Sequence, residues 1–465
     1  MDIKIYTEKF FGIEERLALF EETINGVAWW DAIRHDLFYE VYYKAAGLIR
    51  PPNPKMGIVK RLGIFINRTL MRFFLEARIS FRTYDTVIFR TPRSMIYRKM
   101  RDASLDGIVE LIDTRKLVIN TYPTYYHRRQ SFDKSIIIDK ALLIKINQDI
   151  NKAFGIEIQV VNFIHDRIQS FFSQIKYYKS FFSRCSPKVV LLTQNGIEKG
   201  LFLAARRLKI PVIEIQHGLI NFIHPAYSYP KNAKYKKLES LPNYLFTYSK
   251  FWSSTTFIPI VEKISVGCSR VVDFSIVTLQ EPRLDFLVVS ADVYDETLRG
   301  YVRQLAHKLP DSRIGYKLHP NQRDHEASIR HDLCGLSNVE IFSAESPIGP
   351  LLNSTRSIVT IQSTVVYEAL QAGKVVFIFR HFDYMTHEDV FHLKQVYLVD
   401  TINSINEAAL LNSKNNHSEV FFEPLDALKI KQILFTLLGI ALPNSLAIVT
   451  PLFNEKSKQA SLDSS

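Results

Sequence analysis

The sequence predicts an α/β protein built as two Rossmann-like domains, and three observations point there. Short apolar, β-branched runs such as KVVLLT (188–193), DFLVVS (285–290) and KVVFIF (374–379) lack alternation. That pattern suits strands of a parallel sheet covered on both faces. Segments of helical spacing separate these runs, which is the grammar of βαβ units. The grammar occurs twice, on either side of a stretch from Phe257 to Arg283 with no clean pattern. The chain has 465 residues, about three times a typical ~150-residue domain. Its 47% apolar and 23% charged residues fit a packed globular protein and exclude a disordered or fibrous one.

Taken in order, the first ~50 residues read as a strand at IKIY and then helix. TVIFR and KLVINTYP (116–123) read as strands, and a helix is expected from Asp166 to Arg184. The clearest unit follows: strand Lys188–Thr193, helix Ile197–Leu208 and strand Pro211–Gln216. The second half gives strand Asp285–Ser290, helix Glu296–Lys308, strand Arg313–Leu318, a helix from about Arg323 and strand Val339–Phe342. Strand Ser357–Gln362, helix Ser363–Ala372, strand Lys374–Phe379 and strand Val396–Val399 complete it. The expected division is 1–256 for the first domain, 257–283 for a linker and 284–425 for the second domain. A C-terminal helix and apolar tail take 426–453, and 454–465 is expected to fray.

Three widely spaced cysteines (Cys185, Cys268, Cys334) exclude a disulfide scaffold and a Cys-based zinc module, and suit a reducing cytosol. The N-terminus has no uninterrupted apolar run, so no secretory signal is expected. Residues 432–454 carry no charge and are long enough to span a bilayer, but Pro443-Asn444-Ser445 interrupts them. A helix from about Asp426 to Ala441 packed on the body is expected instead. Formal net charge is +12. The excess is local: between Arg50 and Arg101 stand thirteen Lys or Arg against Glu76 and Asp85 alone, interleaved with apolar residues. Such a segment suits an anionic membrane surface. No pattern of a nucleic-acid-binding module accompanies it.

Three motifs could hold chemistry. Lys317-Leu318-His319-Pro320 ends a predicted strand, where ligands of open α/β sheets sit. An ammonium and an imidazole there suit phosphate oxygens. Gln362-Ser363-Thr364 joins a strand to a helix. Helix capping alone would explain the hydroxyls, yet hydroxyls beside unpaired N–H groups also suit phosphate. Glu368, one turn further on, is placed to accept from ribose hydroxyls. Gln216-His217-Gly218 follows a strand of the first domain, where His217 is a general acid–base candidate. Gly218 would permit positive φ or close backbone approach. Glu198 and His224 lie nearby in sequence. No Walker A, GxGxxG, HExxH, GxSxG or Asp-x-Asp pattern is present, so no metal site or bound cofactor is expected.

The segments GLFLAARRLKIPVIEIQHGLI, YKLHPN and SIVTIQSTVVYEALQAGKVVFIF together resemble GT-B glycosyltransferases of bacterial capsule and lipopolysaccharide synthesis. They are most similar to those using CMP-linked sugars, the bacterial sialyltransferases and capsule Kdo transferases. Teichoic-acid glycerophosphotransferases look similar too. The match covers roughly residues 185–380. The resemblance implies a GT-B fold, two domains across a cleft, and a metal-independent transfer from a nucleotide sugar to a lipid-linked or oligosaccharide acceptor. It implies that His319, Ser363 and Thr364 bind the donor phosphate and Glu368 the ribose; Lys317, at the same strand end, is expected to join them at the phosphate. Where sialyltransferases have an acidic Asp/Glu-Asp/Glu-Gly motif, this chain has Gln194-Asn195-Gly196. His217 and Glu198 are therefore the expected catalytic residues. A cytoplasmic enzyme peripheral on the inner membrane face, without nucleic acid, is the expectation. A CDP-polyol phosphotransferase, a sugar-nucleotide 2-epimerase and a non-enzymatic membrane- or polyanion-binding protein are the alternatives.

Overall fold

A computed structural model describes residues 1–48, 75, 79, 82–90, 94–96, 99–102, 104–120, 136–193, 196, 198–269, 283–405 and 419–441. Most of the basic 50–101 window, Gln194 and Asn195, the apolar 442–453 tail and the 454–465 terminus lie outside the described residues.

Two six-stranded, all-parallel sheets form the two domains. The first comprises β1 (Thr86–Phe89), β2 (Lys116–Ile119), β3 (Val189–Leu192), β4 (Val212–Ile215), β5 (Tyr244–Thr247) and β6 (Glu262–Ser265), in spatial order β6-β5-β4-β3-β1-β2. The second comprises β7 (Leu284–Val289), β8 (Ile314–Lys317), β9 (Val339–Phe342), β10 (Thr355–Thr360), β11 (Val375–Phe379) and β12 (Val396–Val399). Its order, β9-β8-β7-β10-β11-β12, is the 3-2-1-4-5-6 winding of dinucleotide-binding sheets. Central strands β1, β3, β4 and β11 are buried along their whole length. The predicted α/β class of two Rossmann-like domains therefore holds.

The N-terminus departs from expectation. Ile3–Tyr6 is the start of helix α1 (Ile3–Arg16), not a strand. Asp2 caps it by accepting from the Ile5 N–H, and Ile3, Tyr6, Phe10 and Ile13 form its buried face. That helical period outlasts the brief alternation of IKIY. With α2 (Trp30–Ala45), α3 (Lys140–Phe154) and α4 (Val161–Cys185) it builds an aromatic-rich helical layer. Strands β5 and β6 were not legible beforehand. Strand β6 falls inside the expected 257–283 linker yet pairs with β5, Glu262 opposite Tyr244. It is an edge strand of mostly polar residues, none of them buried, so it lacks the apolar run of a central strand.

Between β3 and β4, helix α5 (Lys199–Arg207) packs tightly on α4. A Cβ at Gly200 would lie 2.4 Å from Gln174 Cβ and 2.8 Å from the Ile175 nitrogen. Gly200→Ala is expected to cost about 1–3 kcal/mol through overpacking, read as a lowered urea midpoint at unchanged m-value.

In the second domain, α6 (Asp295–Lys308) follows β7 and α7 (Val365–Gln371) follows β10. The chain then returns to the first domain. Gln371 accepts from the Phe421 and Phe422 N–H groups at 3.0 and 2.7 Å, and Glu423 pairs backbone to backbone with Tyr248 and Cys268. Helix α8 (Ala427–Leu438) ends this strap. Its Ile430, Ile433 and Leu434 pack with Ile88, Val189, Ile213 and Phe246 of the first sheet. Residues 421–438 thus stitch the domains together.

Candidate active site

In the second sheet the winding reverses between β7 and β10, which is where ligands of such sheets bind, outside the carboxyl ends of the strands. The β8 and β10 termini flank that point and deliver His319 and Gln362-Ser363-Thr364. His319 caps the Pro320–His325 turn: its Nδ1 accepts from the Asn321 N–H at 3.2 Å, and the Gln322 side chain accepts from its own N–H at 2.6 Å. With Nδ1 an acceptor, the neutral ring carries its proton on Nε2, which makes that edge a donor. The ring is half-buried.

Ser363 Oγ accepts from the Val365 N–H at 3.2 Å, and the Ser363 N–H is directed at His387 Nε2, 3.3 Å away. His387 is fully buried, and burial pushes its imidazole down to about 3. It stays neutral and holds the loop as an acceptor. Thr364 and Glu368 are half-exposed on the first turns of α7.

Lys317 corrects its expected role. Its side chain is buried and its ammonium donates to the carbonyls of Leu318 and Ala344 at 2.6 and 3.2 Å. Burial lowers it to about 8, with Glu326 acting the other way. The flexible stem folds back onto the loop that the strand end was expected to present to phosphate. Lys317 therefore ties that loop together.

On the first domain, Gln216 shapes the turn after β4. Its Oε1 accepts from the Tyr248 N–H and its Nε2 donates to the Gly218 carbonyl, both at 2.9 Å. Gly218 has neither expected feature: its φ is not positive, and an added Cβ would meet nothing within 4 Å. The close approach occurs instead at Gly196, where a Cβ would stand 2.9 Å from the ring of His35. His35, on α2, stacks on His224 with centroids 5.8 Å apart. His224 is held well below the usual imidazole range by burial and by the nearby His35 and His217. Three histidines thus gather after β4, of which sequence reasoning singled out His217 and noted His224. Glu198 is only 2% exposed at the start of α5, so it does not present a base at the surface.

The two halves also meet beside these loops, along a seam. Asn221, four residues after His217, accepts from the Ile223 and His224 N–H groups and donates to the Thr386 carbonyl at 2.7 Å. Thr386 adjoins His387, which in turn contacts Ser363. A short bonded path therefore runs from the His217 loop to the Ser363 loop. Beside it, Tyr42 of α2 and Tyr294 of the second domain both donate to Asp383, at 2.6 and 2.8 Å. Burial pushes the Asp383 carboxyl up to about 6 from its ordinary 3.8, against the two tyrosine donors. A raised folded-state value means protonation favours the fold. That contribution is complete below about pH 4 and lost as pH rises through 6, roughly 3 kcal/mol in all. Asp383→Asn is expected to flatten this part of a melting-temperature profile between pH 4 and 7 and to raise the melting point at pH 8.

His35, Asn221, Asp383 and His387 were missed by sequence reasoning. Each belongs to the site only through tertiary proximity, and none stands in a recognisable spacing. Among the described residues no three His, Cys, Asp or Glu side chains are grouped to hold a metal ion, and no helix is long and apolar enough to cross a membrane.

No protein-family model and no curated protein sequence matches the chain. Solved structures do align. The Methanocaldococcus jannaschii UDP-GlcNAc 2-epimerase, in complex with UDP-GlcNAc and UDP, is 14% identical over 76% of this chain and 99% of its own, with a TM-score of 0.45. The Neisseria meningitidis UDP-GlcNAc 2-epimerase bound to UDP-GlcNAc is 15% identical over 81% and 98%, TM-score 0.41. Acinetobacter baumannii MurG is 10% identical over 78% and 97%, TM-score 0.40.

Proposed function

We propose that the protein is a GT-B glycosyltransferase that moves a sugar from a CMP-linked donor to a lipid-linked or glycan acceptor in bacterial surface-polysaccharide synthesis. The observation that supports this most is the bonded path joining the His217 loop of one Rossmann-like domain to the Ser363 loop of the other, beside the second sheet's switch point. Donor phosphate would sit against His319 Nε2–H and the Ser363 and Thr364 hydroxyls, with ribose toward Glu368. As the acceptor oxygen replaces the nucleotide at the anomeric carbon, charge grows on the departing phosphate. Donors already fixed by the capping turn stabilise that charge without reorganising. His217 would take the acceptor proton as general base.

An anionic membrane surface as a partner is supported by a second surface. Phe257 and Ile260 are exposed, Ile260 at φ +59, and the Phe257 ring lies 6.3 Å from that of Tyr235 within the lysine-rich 231–237 loop. Apolar tips beside Lys231, Lys234, Lys236 and Lys237 suit an inner-leaflet interface.

Thermal unfolding with CMP, UMP, GMP and AMP tests the donor assignment, since a ligand of the native state alone raises the melting point. CMP is expected to give the largest rise. Equal silence from all four rejects nucleotide binding. Subsequent incubation with CMP-, CDP- and UDP-linked donors identifies the released nucleotide, and turnover without any acceptor would favour an epimerase.

A further inference from the structure

We propose that a cavity of about 290 Å³ between α2 and α4 is a subsite for one pyranose ring of the acceptor glycan. The proposal rests on the glycosyl-transfer reading and gives it a substrate class and a place. Asp36, Tyr39, Glu40 and Tyr43 recur at i, i+3, i+4 and i+7 along α2, so they share one face. Phe163 and Arg167, one turn apart on α4, form the opposite wall.

This lining matches the two kinds of surface of a sugar ring. Aromatic rings cover its C–H face, and carboxylates accept from its hydroxyls. This cavity sets three aromatic rings beside oriented polar groups, the combination by which small-molecule sites fix a ligand's orientation. Here the polar groups are already oriented. Arg167 lies over the Phe163 ring, 5.1 Å from its centroid, and pairs with Asp36 Oδ2 at 3.1 Å. Asp36 Oδ1 meets His35 Nδ1 at 3.3 Å.

The cavity also opens in the right place. His35 and Tyr39 line it and belong to the ring cluster around His224, with centroids 5.8 and 6.3 Å from it. Three residues beyond Tyr39, Tyr42 bonds Asp383 of the second domain. A ring held here lies beside the histidine cluster and the seam.

Saturation-transfer NMR on the full chain, with the methyl glycosides of glucose, galactose and N-acetylglucosamine, tests the subsite. At least one glycoside is expected to receive saturation. Glu40→Gln and Tyr43→Ala are each expected to weaken its binding at least tenfold while leaving the CMP-induced melting shift unchanged. Glu40→Gln changes one atom on a half-exposed side chain, so a folded variant is assured even if Tyr43→Ala is damaged. No saturation of any glycoside in the parent protein, or equal saturation in both variants, overturns the subsite. Glycoside binding without any nucleotide shift would keep the subsite and reject the transferase reading. A nucleotide shift without glycoside binding would do the reverse.

Discussion

Arg34→Ala is expected to lower the melting temperature by roughly 10 °C, a loss of about 3–5 kcal/mol. Arg34 is 1% exposed and Glu14 fully buried. Its Nε and Nη2 bond both Glu14 oxygens, at 2.7 and 2.9 Å, and Trp30 Nε1 adds a donor at 2.7 Å. Burial works against the guanidinium, but Glu14 outweighs it and Arg34 stays charged. Removing Arg34 leaves a buried carboxylate without its cation. The remaining Arg34 nitrogen donates to the carbonyls of Pro225 and Ser228, and the Tyr229 ring lies 4.4 Å from the guanidinium. Arg34 therefore links the helical layer to the loop that positions His224. Arg34→Lys is expected to fail almost as badly, since an ammonium cannot reproduce the fork. Pairing Arg34→Met with Glu14→Leu is expected to recover only part of the loss. It removes both charges but still deprives two carbonyls of their donor. Calorimetry of the three variants checks the order. An Arg34→Ala protein melting within 2 °C of the parent would contradict it.

These buried charges show where the sequence stops speaking. Central strands such as KVVFIF announce themselves because a parallel strand covered on both faces needs apolar residues without interruption. Their termini then locate His217, His319 and Ser363, since ligands of such sheets gather at strand ends. Glu14, Arg34, Asp31 and Lys199 give no such sign. A charged residue in an amphipathic helix reads as solvent-facing. Lys199 is nevertheless 1% exposed, and pairs at 2.9 Å with Asp31, to which Tyr229 and Ser240 also donate. Lys317 lies differently from expectation for a related reason: a strand-end position fixes where its Cα lies, while four flexible methylenes decide where the ammonium goes. His35 and Asp383 meet their partners across 189 and 341 positions of the chain, a proximity that only the fold creates.

His319→Asn is the substitution expected to silence the chemistry while sparing the structure. His319 does two jobs with two nitrogens. Nδ1 accepts from the Asn321 N–H and starts the turn, while Nε2–H is the donor proposed for the nucleotide phosphate. Asn is among the best cap residues, and its side-chain oxygen can accept the same backbone proton. It therefore keeps the first job, but its short side chain cannot reach the phosphate. The melting temperature without ligand should stay within about 2 °C of the parent, as expected when a cap is kept. Losing one preorganised donor to a leaving group costs about 10²–10³ in turnover. CMP-induced stabilisation should shrink as well, because the same donor contacts the ground-state phosphate. His319→Ala loses both jobs, so it should match the loss in turnover and melt lower, by the ~1 kcal/mol of a lost cap. The pair of variants thus separates ring from cap. If His319→Asn transfers sugar at the parent rate, the imidazole only closes a turn, and the donor phosphate must be bound elsewhere along the seam.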